Sequence, residues 1–364
     1  MSSMKKNCKI VLFNDSLSGG AGISMLTLAE ALQKNGIEVH LVICENKIDF
    51  EIPVSLSFHL LNRDINTTYS KKAYSRKLRE KLKALGEADM VMSNSSPSNR
   101  ILSLLKIDNA YHRVHSAEIK RYPDTVLGQL KYRWRHYKYR KLYSNKHLIP
   151  VSKGLKQIIT QDIGAKPKSM DVIYNVSDVE KIKALSQKND TEIPQEAYII
   201  HVGRFDMTSK RHDVLLQAYK KSGIPHKLVI VGEGKDKLVI QKMIEELKLE
   251  DKVLLTGFKP NPYPWISNAS LLVMTSDFEG LPTVMIEALV LKTPVVSTDC
   301  PTGPSEILTD TLSSYLVPIQ DIDMIAGKMK KALLEYPPIP DTAVEKFQAD
   351  HIVWQYMKLM EGKQ

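Results

Sequence analysis

Two glutamates, Glu279 and Glu287, have the spacing that best suits chemistry on a bound ligand. They lie in SDFEGLPTVMIEALVLKTPVVSTD (276–299), and seven residues separate them. The stretch TVMIEALVL is apolar on almost every side of a helix except at Glu287, and a buried carboxylate without partners costs several kcal/mol. A pair of ribose hydroxyls would satisfy this carboxylate. A buried Lys or Arg partner, or a partly exposed helix, is the alternative explanation.

The turn after the first glutamate is suited to presenting backbone donors. Glu279 is followed by Gly280 and Leu281, and Pro282 stands where a helix should start. Proline is favourable at a first helical position because its missing N–H would have been unpaired there anyway. We therefore expect the N–H groups of Gly280, Leu281 and Thr283 to point outward from the positive end of the helix, towards phosphate or sugar oxygens.

These residues must be positioned by strands and helices, and both patterns alternate along the chain. Helical segments such as SMLTLAEALQKNG (24–36), SKRHDVLLQAYKKSG (209–223) and KLVIQKMIEELKL (237–249) lie between short apolar runs. The runs are rich in β-branched residues and apolar on both faces, as buried parallel strands are. They are KIVLFN (9–14), VHLVIC (39–44), MVMSN (90–94), HLIPVS (147–152), AYIIHVG (197–203), HKLVIVG (226–232), KVLLTG (252–257), SLLVMTS (270–276) and PVVSTD (294–299). YHRVH (111–115) is a further apparent strand. This alternation predicts doubly wound α/β layers.

The chain of 364 residues is long enough for two domains. Residues 177–196 are polar and contain no strand pattern, so we place the boundary near them. Residues 1–176 are then an N-terminal Rossmann-like domain and 177–346 a C-terminal one of similar size. We expect a ligand to bind where the carboxyl ends of both sets of strands converge.

The composition excludes a disordered, collagenous or disulfide-stapled protein. Apolar residues make up 43% and charged residues 25% of the chain, as in ordinary globular proteins. Cys8, Cys44 and Cys300 are isolated, so neither a zinc site nor a disulfide framework is indicated, and we expect a reducing, cytoplasmic compartment. No apolar stretch approaches the ~18 residues that span a bilayer. Asp321 and Asp323 have the spacing of a carboxylate metal motif, but a helical pattern follows them, which favours helix capping.

The glutamate pair with its Gly-Leu-Pro sequence resembles the E-x7-E motif of retaining glycosyltransferases of the GT-B fold, and of the large family 4 in particular. This resemblance covers nearly the whole chain and implies two Rossmann-like domains that face each other across a cleft. It also implies a last helix, within 347–364, that crosses back onto the first domain. Other segments that resemble the family, in order, are SGGAGISMLTLAEALQKNG (18–36), VSKGLKQ (151–157), VIYNVSD (172–178), HVGRFDMTSKRHDVLLQAY (201–219), VGEG (231–234), LTGF (255–258) and STDCPTGPSEIL (297–308).

The resemblance assigns roles to the donor-binding residues. Arg204 and Lys210 match the pair that grips the donor diphosphate, and two cations suit a leaving group whose charge grows as the glycosidic bond breaks. Glu287 would bind the ribose, and Glu279 would contact the donor sugar near its reacting carbon. The backbone of 280–283 would hold sugar and phosphate oxygens. Taken alone, Arg204 would be interpreted as a surface ion-pair residue.

Further positions complete the implied site. Gly257 and Phe258 would line the base pocket, although Phe258 could instead be a core residue. Gly19 and Gly20 follow the first strand, where glycine lets the backbone approach phosphates closely, and an ordinary strand-to-helix turn also uses glycine. His115 ends an apparent strand and resembles the active-site histidine of the family. A lone histidine is otherwise more often a structural residue.

The implied activity is transfer of a sugar with retention of anomeric configuration. A UDP-hexose or UDP-N-acetylhexosamine is the favoured donor, ahead of GDP-sugars. We favour a front-face route in which the leaving diphosphate accepts the acceptor's proton while Arg204 and Lys210 stabilise it. With two cations available, we expect neither a metal nor a cofactor. The loops SGGAG (18–22) and GEGKDK (232–237) also lack a dinucleotide fingerprint.

Basic residues are concentrated in the first half of the chain. Residues 1–180 carry a formal charge of +12, and the remainder carries −2. Residues 71–83 hold seven Lys or Arg, and residues 120–147 hold nine together with five Tyr and Trp134. Basic residues interleaved with Tyr and Trp suit the surface of an anionic membrane, although charged runs are usually only solvated faces.

This charge pattern fits what the family implies for the acceptor, a lipid-linked or lipid-anchored glycan of the bacterial envelope, such as lipopolysaccharide, capsule or O-antigen. We therefore expect a peripheral enzyme on the inner face of the cytoplasmic membrane. Two alternatives remain open. One is an RNA-binding protein, which no sequence signature supports, so that we expect no nucleic-acid partner. The other is a sugar-nucleotide epimerase with a GT-B-like fold.

Overall fold

The computed structural model describes residues 8–62, 69–116 and 125–362. The chain forms two compact units. The first comprises the described residues up to Val176 together with the segment that begins at Ala349, and the second is Ser177–Gln348. Each unit is built around one parallel sheet.

The first unit has a seven-stranded sheet in the order β3-β2-β1-β4-β5-β6-β7. Its strands are β1 (Lys9–Asn14), β2 (Glu38–Glu45), β3 (Ser57–Asn62), β4 (Met90–Ser93), β5 (Ala110–Val114), β6 (His147–Pro150) and β7 (Ser169–Met170). The helices up to the end of this sheet are α1 (Gly19–Lys34), α2 (Lys71–Leu85), α3 (Ser96–Leu102), α4 (Val126–Tyr143) and α5 (Lys153–Gln157). A π-helical turn, Ile158–Asp162, continues α5.

The apolar pattern of β1 explains why this sheet is covered on both faces. Ile10 and Leu12 belong to one hydrophobic cluster, and Val11 and Phe13 belong to another. Alternate residues of a strand point to opposite faces, so a run that is apolar throughout needs a core on each side.

The second unit has a six-stranded sheet in the order β10-β9-β8-β11-β12-β13. Its strands are β8 (Tyr198–Val202), β9 (Lys227–Val231), β10 (Val253–Gly257), β11 (Leu271–Met274), β12 (Val295–Thr298) and β13 (Leu316–Val317). Its helices are α6 (Val179–Ser186), α7 (His212–Ser222), α8 (Lys237–Glu246), α9 (Tyr263–Ser267), α10 (Thr283–Val290), α11 (Pro304–Ile307), α12 (Ile322–Leu334) and α13 (Thr342–Glu345). A 3-10 turn, Asp310–Tyr315, precedes β13.

The final helix, α14 (Ala349–Glu361), belongs to the first unit. Its buried residues Ile352, Val353 and Tyr356 join the hydrophobic cluster that also contains the inward face of α1. Trp354 lies on the opposite side and is exposed.

The strand order places a topological switch point in each sheet. In the first unit the order reverses between β1 and β4, and in the second it reverses between β8 and β11. Loops that leave neighbouring strands in opposite directions open a crevice at the carboxyl ends, where ligands of open parallel sheets bind. The loops after β1, β4, β8 and β11 are therefore the places to examine for a site.

Three findings about the helices can be compared with what the sequence predicted. Asp321 accepts a hydrogen bond from the Met324 N–H at 2.9 Å, so its prediction as a helix cap is confirmed. Pro282 is the residue before α10 rather than its first residue, a shift of one position. Among the described residues, no helix is both long and apolar enough to cross a membrane.

Candidate active site

The carboxyl edge of the second sheet brings most of the predicted site residues together within one unit. All strands of this sheet are parallel, so the loops that follow them open at the same edge. Gly203 and Arg204 follow β8, Gly257 and Phe258 lie at the end of β10, and Glu279 follows β11.

Two glycines allow neighbouring loops to approach closely at this edge. A Cβ on Gly232, which follows β9, would lie 1.9 Å from the carbonyl oxygen of Gly203. A Cβ on Gly234 would lie 2.4 Å from the carbonyl oxygen of Phe205. Any other residue at these two positions would force the β8 and β9 loops apart, so the VGEG sequence has a packing role besides any contact with a ligand.

Lys210 and Glu279 form the closest contact between two predicted site residues. The Lys210 Nζ donates to Glu279 Oε1 at 2.6 Å, and the two side chains are only 19% and 12% exposed. These residues are far apart in the chain and reach each other across the β8/β11 switch point. The pair neutralises one cation at the place where the sequence predicts a diphosphate.

Arg204 and Phe258 lie at the same edge, but unlike Lys210 and Glu279 they are exposed. Arg204 is exposed and makes no hydrogen bond or ion pair through its side chain with any described residue, so the alternative of a surface ion pair is wrong. The Phe258 side chain is 54% exposed, so the alternative of a core residue is wrong as well. Both side chains remain accessible to a ligand.

Gly257 needs its glycine for conformational reasons. Its φ of 76° lies in the left-handed region, and an added Cβ would lie 3.3 Å from Glu233 Oε1. Its carbonyl oxygen accepts a hydrogen bond from the Gly232 N–H at 2.9 Å, which ties the β10 end to the β9 loop.

Glu287 lies on α10 and is partly exposed. Burial raises the pKa of its carboxyl to about 7, and a hydrogen bond with the Thr283 side chain offsets part of that rise. The carboxylate in turn raises the pKa of the Tyr263 hydroxyl. Glu287 makes no ion pair with the described residues, so the proposed Lys or Arg partner is absent from that part of the chain, while the partly exposed helix is what the structure has.

The loop after β12 supports the turn that contains Gly280, Leu281 and Pro282. The Thr302 hydroxyl donates to the carbonyl oxygen of Glu279. Gly303 has a φ of 97°, and a Cβ there would lie 2.5 Å from the Pro282 Cδ. These contacts hold the turn against the β12 loop just before the first residue of α10, Thr283.

The glycine loop of the first unit follows β1. Helix α1 begins at Gly19, which has a φ of 60° and donates its N–H to Asp49 Oδ2 at 3.2 Å. Gly19 and Gly20 are both exposed, and an added Cβ would meet nothing within 4 Å. Gly22 is different, because a Cβ there would lie 2.7 Å from the Leu17 carbonyl carbon.

His115 lies just beyond β5 and joins a polar group that we call the first-unit cluster: Asn94, Arg113, His115 and Asn175. The His115 Nε2 is 2.8 Å from Asn94 Oδ1. Arg113 Nη1 donates to the same oxygen at 3.3 Å, and Arg113 Nη2 donates to Asn175 Oδ1 at 2.9 Å. Burial, and then Arg113, hold the pKa of His115 well below its usual value.

The first-unit cluster also reaches the glycine loop. Asn94 Nδ2 donates to the carbonyl oxygen of Ala21 at 2.9 Å, and the Ser24 hydroxyl donates to Asn175 Oδ1 at 3.1 Å. Since Asn94 Oδ1 already accepts from Arg113, His115 Nε2 carries the proton and donates. The neutral imidazole then has Nδ1 as an acceptor.

Sequence reasoning missed Asn94, Arg113 and Asn175 as members of a site. Asn94 had one available signal, since it is a polar residue directly after a strand at a switch point. Arg113 lies within β5 and Asn175 lies in an irregular segment, so their convergence depends on tertiary packing.

Two parallel sheets with flanking helices define the class of protein as one with a GT-B fold. The solved structure of the Anabaena protein HepE with UDP and glucose superposes with a TM-score of 0.76, covering 98% of this chain and all of that one at 15% identity. Staphylococcus aureus TarM, solved with UDP among other ligands, gives a TM-score of 0.71 over 98% of this chain and 99% of that one at 16% identity. The predicted fold class, a GT-B protein with two α/β domains, is confirmed.

Family models match both units. Residues 18–181 match the model described as Glycosyltransferase Family 4, and residues 183–346 match Glycosyl transferases group 1. The chain therefore belongs to the GT-B glycosyltransferases of the family 4 type, as the motifs predicted.

Several curated proteins are similar to part of the chain. One is the N-acetylgalactosamine-N,N'-diacetylbacillosaminyl-diphospho-undecaprenol 4-alpha-N-acetylgalactosaminyltransferase of Campylobacter jejuni, 35% identical over 51% of this chain and 50% of that protein. Another is the lipopolysaccharide 1,6-galactosyltransferase of Escherichia coli, 28% identical over 56% of this chain and 58% of that protein. The chain spans about half the length of the curated relatives that it matches.

Proposed function

We propose that this protein is a retaining glycosyltransferase that moves a sugar from a UDP-sugar to a lipid-linked or lipid-anchored glycan in bacterial envelope polysaccharide biosynthesis. The observation that carries the proposal is the Lys210–Glu279 pair beside an accessible Arg204 at the carboxyl edge of the second sheet. Carboxyl ends at a switch point are where nucleotides bind in open parallel sheets.

The diphosphate is assigned to Arg204 and Lys210. Arg204 has no competing acid among the described residues, whereas Lys210 would exchange Glu279 for a phosphate oxygen when the donor binds. Charge on the departing diphosphate grows as the glycosidic bond breaks, and fixed cations stabilise that charge most in the transition state. In the front-face route that we favour, the same diphosphate oxygen accepts the proton of the acceptor hydroxyl.

The remaining donor groups are assigned along the same edge. Glu287 accepts hydrogen bonds from the two ribose hydroxyls, and Gly257 with Phe258 lines the base. Glu279 contacts the sugar near its reacting carbon, with the backbone of 280–283 beside it. An unpaired carboxylate with a raised pKa supports the ribose assignment.

We assign substrate contacts in the first unit to His115, Gly19 and Gly20. The His115 Nε2 is held by Asn94, which leaves Nδ1 as an acceptor that suits a sugar hydroxyl. Gly19 and Gly20 present an open backbone at the start of α1, which suits contact with phosphate or sugar oxygens.

Relatives support the acceptor class. One relative is named for a sugar linked to diphospho-undecaprenol, and another for lipopolysaccharide. A third is a poly(ribitol-phosphate) alpha-N-acetylglucosaminyltransferase. The first two names thus refer to a lipid-linked or lipid-anchored saccharide, and the third to a polyol-phosphate polymer. We propose an acceptor of the same kind for this chain.

Donor binding is the first test. Isothermal titration of the full chain with UDP-glucose, UDP-N-acetylglucosamine, GDP-mannose and ADP-glucose should show binding by UDP-sugars ahead of the others. Glu287→Ala should abolish measurable nucleotide binding, and Glu279→Ala should lower turnover more than affinity. Glu250→Ala, an exposed acid on the turn before β10, is the matched control and should change neither.

Three results would count against the proposal. Equal, small effects of Glu287→Ala and Glu279→Ala would remove the assigned roles. Release of a free 2-epimer without any acceptor would favour an epimerase. A product with inverted anomeric configuration, read from its proton NMR spectrum, would rule out retention.

We also propose that the first unit binds an anionic membrane through α4 and α2. Four apolar side chains of α4 recur at three- and four-residue spacing, so they share one helix face, and each is 58–78% exposed: Val126, Leu130, Trp134 and Tyr137. The neighbouring Leu127 is 62% exposed, and Lys138 Nζ lies 3.2 Å from the centre of the Trp134 ring. Residues 120–124 of the second basic segment lie outside the described residues.

An apolar row flanked by cations suits the membrane interface, where aromatic rings lie at headgroup depth. Each Lys or Arg near an anionic surface contributes about 1 kcal/mol. Helix α2 adds Lys71, Lys72, Arg76, Lys77, Arg79, Lys81 and Lys83. This surface would place the enzyme on the inner face of the cytoplasmic membrane, close to a lipid-linked acceptor.

Co-sedimentation with vesicles tests the membrane surface. The full chain should bind vesicles that contain phosphatidylglycerol at least tenfold better than pure phosphatidylcholine vesicles at low salt. Replacing Leu130 and Trp134 by Ser should weaken this binding, whereas replacing Leu238 and Val239, which are also exposed but lie on α8 of the second unit, should not. Equal binding to both vesicle types would contradict the proposal.

A further inference from the structure

We propose that Arg211 is a positioning residue that fixes the main chain beside Lys210 and so sets where the Lys210 ammonium group lies. The inference rests on the proposed function of Lys210 in donor binding. It concerns four residues that we call the second-unit cluster: Lys210, Arg211, Asp277 and Glu279.

Arg211 has a backbone conformation that arginine rarely adopts. Its φ of 53° and ψ of 54° lie in the left-handed region, directly before the first residue of α7. Only glycine enters this region without a steric penalty. An arginine persists there when surrounding contacts hold it.

The Arg211 guanidinium supplies those contacts through three of its nitrogen atoms. Nε and Nη2 donate to the two carboxylate oxygens of Asp213 at 2.9 and 2.7 Å, which is the bidentate geometry that arginine favours. Nη1 donates to Asp277 Oδ2 at 2.8 Å. The fork therefore joins the start of α7 to the loop after β11, which carries Glu279 two residues beyond Asp277.

Backbone contacts join the same two segments. The Asp277 N–H donates to the carbonyl oxygen of Ser209 at 2.9 Å. The Thr275 hydroxyl lies 2.9 Å from the carbonyl oxygen of Lys210 and 3.1 Å from that of Arg211. Lys210 is thus bonded through its main chain and flanked on both sides by residues bonded to the β11 loop.

Lysine needs this support because its side chain has four rotatable bonds and a point charge, without the fixed fork of arginine. When a diphosphate displaces Glu279, Lys210 loses its 2.6 Å partner. The Arg211–Asp277 contact does not involve Lys210 Nζ and stays in place. Arg211 would thus keep the ammonium group near the site in both states.

Lysine acylation measured by mass spectrometry tests the position of Lys210 directly. The full-length protein is treated with a limiting amount of an N-hydroxysuccinimide ester of acetate, and the labelling rate of Lys210 is compared with that of exposed lysines. In the wild type Lys210 should react slowly, since it is largely buried and ion-paired. Arg211→Gly should raise its rate at least threefold, and Arg211→Lys should give an intermediate rate.

Two further variants distinguish a change in the position of Lys210 from the relief of backbone strain and from misfolding of Arg211→Gly. Lys248 also has a left-handed φ, of 55°, after the end of α8, so Lys248→Gly removes a comparable penalty elsewhere and should leave Lys210 labelling unchanged. Asp277→Asn keeps the size of the side chain while removing its charge, and should raise Lys210 labelling even if Arg211→Gly does not fold. Unchanged Lys210 labelling in a folded Arg211→Gly, or in Asp277→Asn, would overturn the inference.

Titration of the same proteins with UDP-glucose distinguishes this inference from the proposed function. We expect Arg211→Gly to weaken binding about tenfold, and Lys248→Gly to leave binding unchanged. A wild type that binds no nucleotide-sugar would refute the proposed function, while the labelling result would still decide whether Arg211 positions Lys210. A wild type that binds UDP-glucose, together with a folded Arg211→Gly that binds it equally well, would overturn the inference.

Discussion

The first-unit cluster and the second-unit cluster lie at equivalent places in their sheets but handle charge in opposite ways. Each is built at the switch point of a parallel sheet, one beside β1 and β4 and the other beside β8 and β11. In the first, the cation Arg113 is fully buried and bonded to amide oxygens, with no ion pair to a described residue. In the second, Lys210 and Arg211 each meet a carboxylate.

This difference indicates how each cluster would respond to an anionic substrate. The second-unit cluster is balanced in the free protein, so a diphosphate must displace Glu279 from Lys210 before it gains that cation. The first-unit cluster carries uncompensated positive charge whose field is weakly screened because the guanidinium is out of water. The first-unit cluster can therefore attract negative charge as it stands. The second-unit cluster can do so only after Lys210 exchanges Glu279 for the substrate.

Removal of Lys210 should give the largest effect and tests the exchange of partners. Lys210→Ala leaves Glu279 without its cation next to an incoming diphosphate, and turnover should fall at least about a hundredfold, as when one electrostatic group of a transition state is lost. The measurement is the initial rate of UDP release with the best donor of the titration screen. Lys242→Ala, which removes an exposed ion pair with Glu246 on α8, is the matched control. Turnover within a few-fold of the wild type in Lys210→Ala would show that the second-unit cluster does not bind the leaving group.

Glu287 is a third case for this comparison. Among the described residues, neither a cation nor an amide group bonds to its carboxylate. With a pKa of about 7, the group is mostly ionised above pH 7 and mostly protonated below it. The carboxylate can accept a hydrogen bond from a ribose hydroxyl on each of its two oxygens, whereas protonation turns one of these oxygens into a donor. Donor binding should therefore weaken as the pH falls. Titration with UDP-glucose should show Kd rising about tenfold from pH 8 to pH 6.

UDP-glucose is the appropriate probe because its diphosphate has no terminal phosphate group that titrates between pH 6 and pH 8. Glu287→Gln should bind more weakly and show a flat profile over the same range. The same pH dependence in the variant and the wild type would mean that another group is responsible.

The fold could be predicted from the sequence because most buried strands form short apolar runs. All nine apolar runs, and the apparent strand at 111–115, coincide with strands to within two residues at either end. The strands that were missed are β3, which is a partly exposed edge strand, and β7 and β13, which have two residues each. Two residues are too few to form a run, and β3 mixes Phe and Leu with polar residues in the sequence SFHLLN.

The site could be predicted only where side chains leave the ends of strands. Arg204 lies two residues after β8 and Glu279 lies five residues after β11, and parallel strands bring the loops that follow them to one edge. The helical pattern 209–223 suggested that Arg211 belongs to a helix, but α7 begins one residue later, at His212, since Ser209–Arg211 bond to the β11 loop. The sequence around Arg113 gave no signal of its role, because its partner amides come from distant segments.

Stability offers the smallest effect and the most direct comparison of the two arginines. Arg113 lies out of water, its Nε has no hydrogen-bond partner, and burial lowers its pKa. Keeping an ionised side chain out of water costs several kcal/mol unless ion pairing and hydrogen bonds compensate for it. Its two acceptors would keep other donors, since Asn94 Oδ1 retains His115 and Asn175 Oδ1 retains the Ser24 hydroxyl.

Arg113→Met should therefore raise the free energy of unfolding, by about 1 kcal/mol. Arg211→Met should lower it by a similar amount, because it leaves Asp213 and Asp277 without their cation while both are largely buried. Urea unfolding of the two full-length variants, at one pH and salt concentration, measures both changes against the wild type. If both arginines stabilise the protein equally, the amide-bonded Arg113 is as well compensated as the ion-paired Arg211. In that case the positive charge of the first-unit cluster needs no ligand to explain it, and the two clusters no longer differ in the way that their contacts indicate.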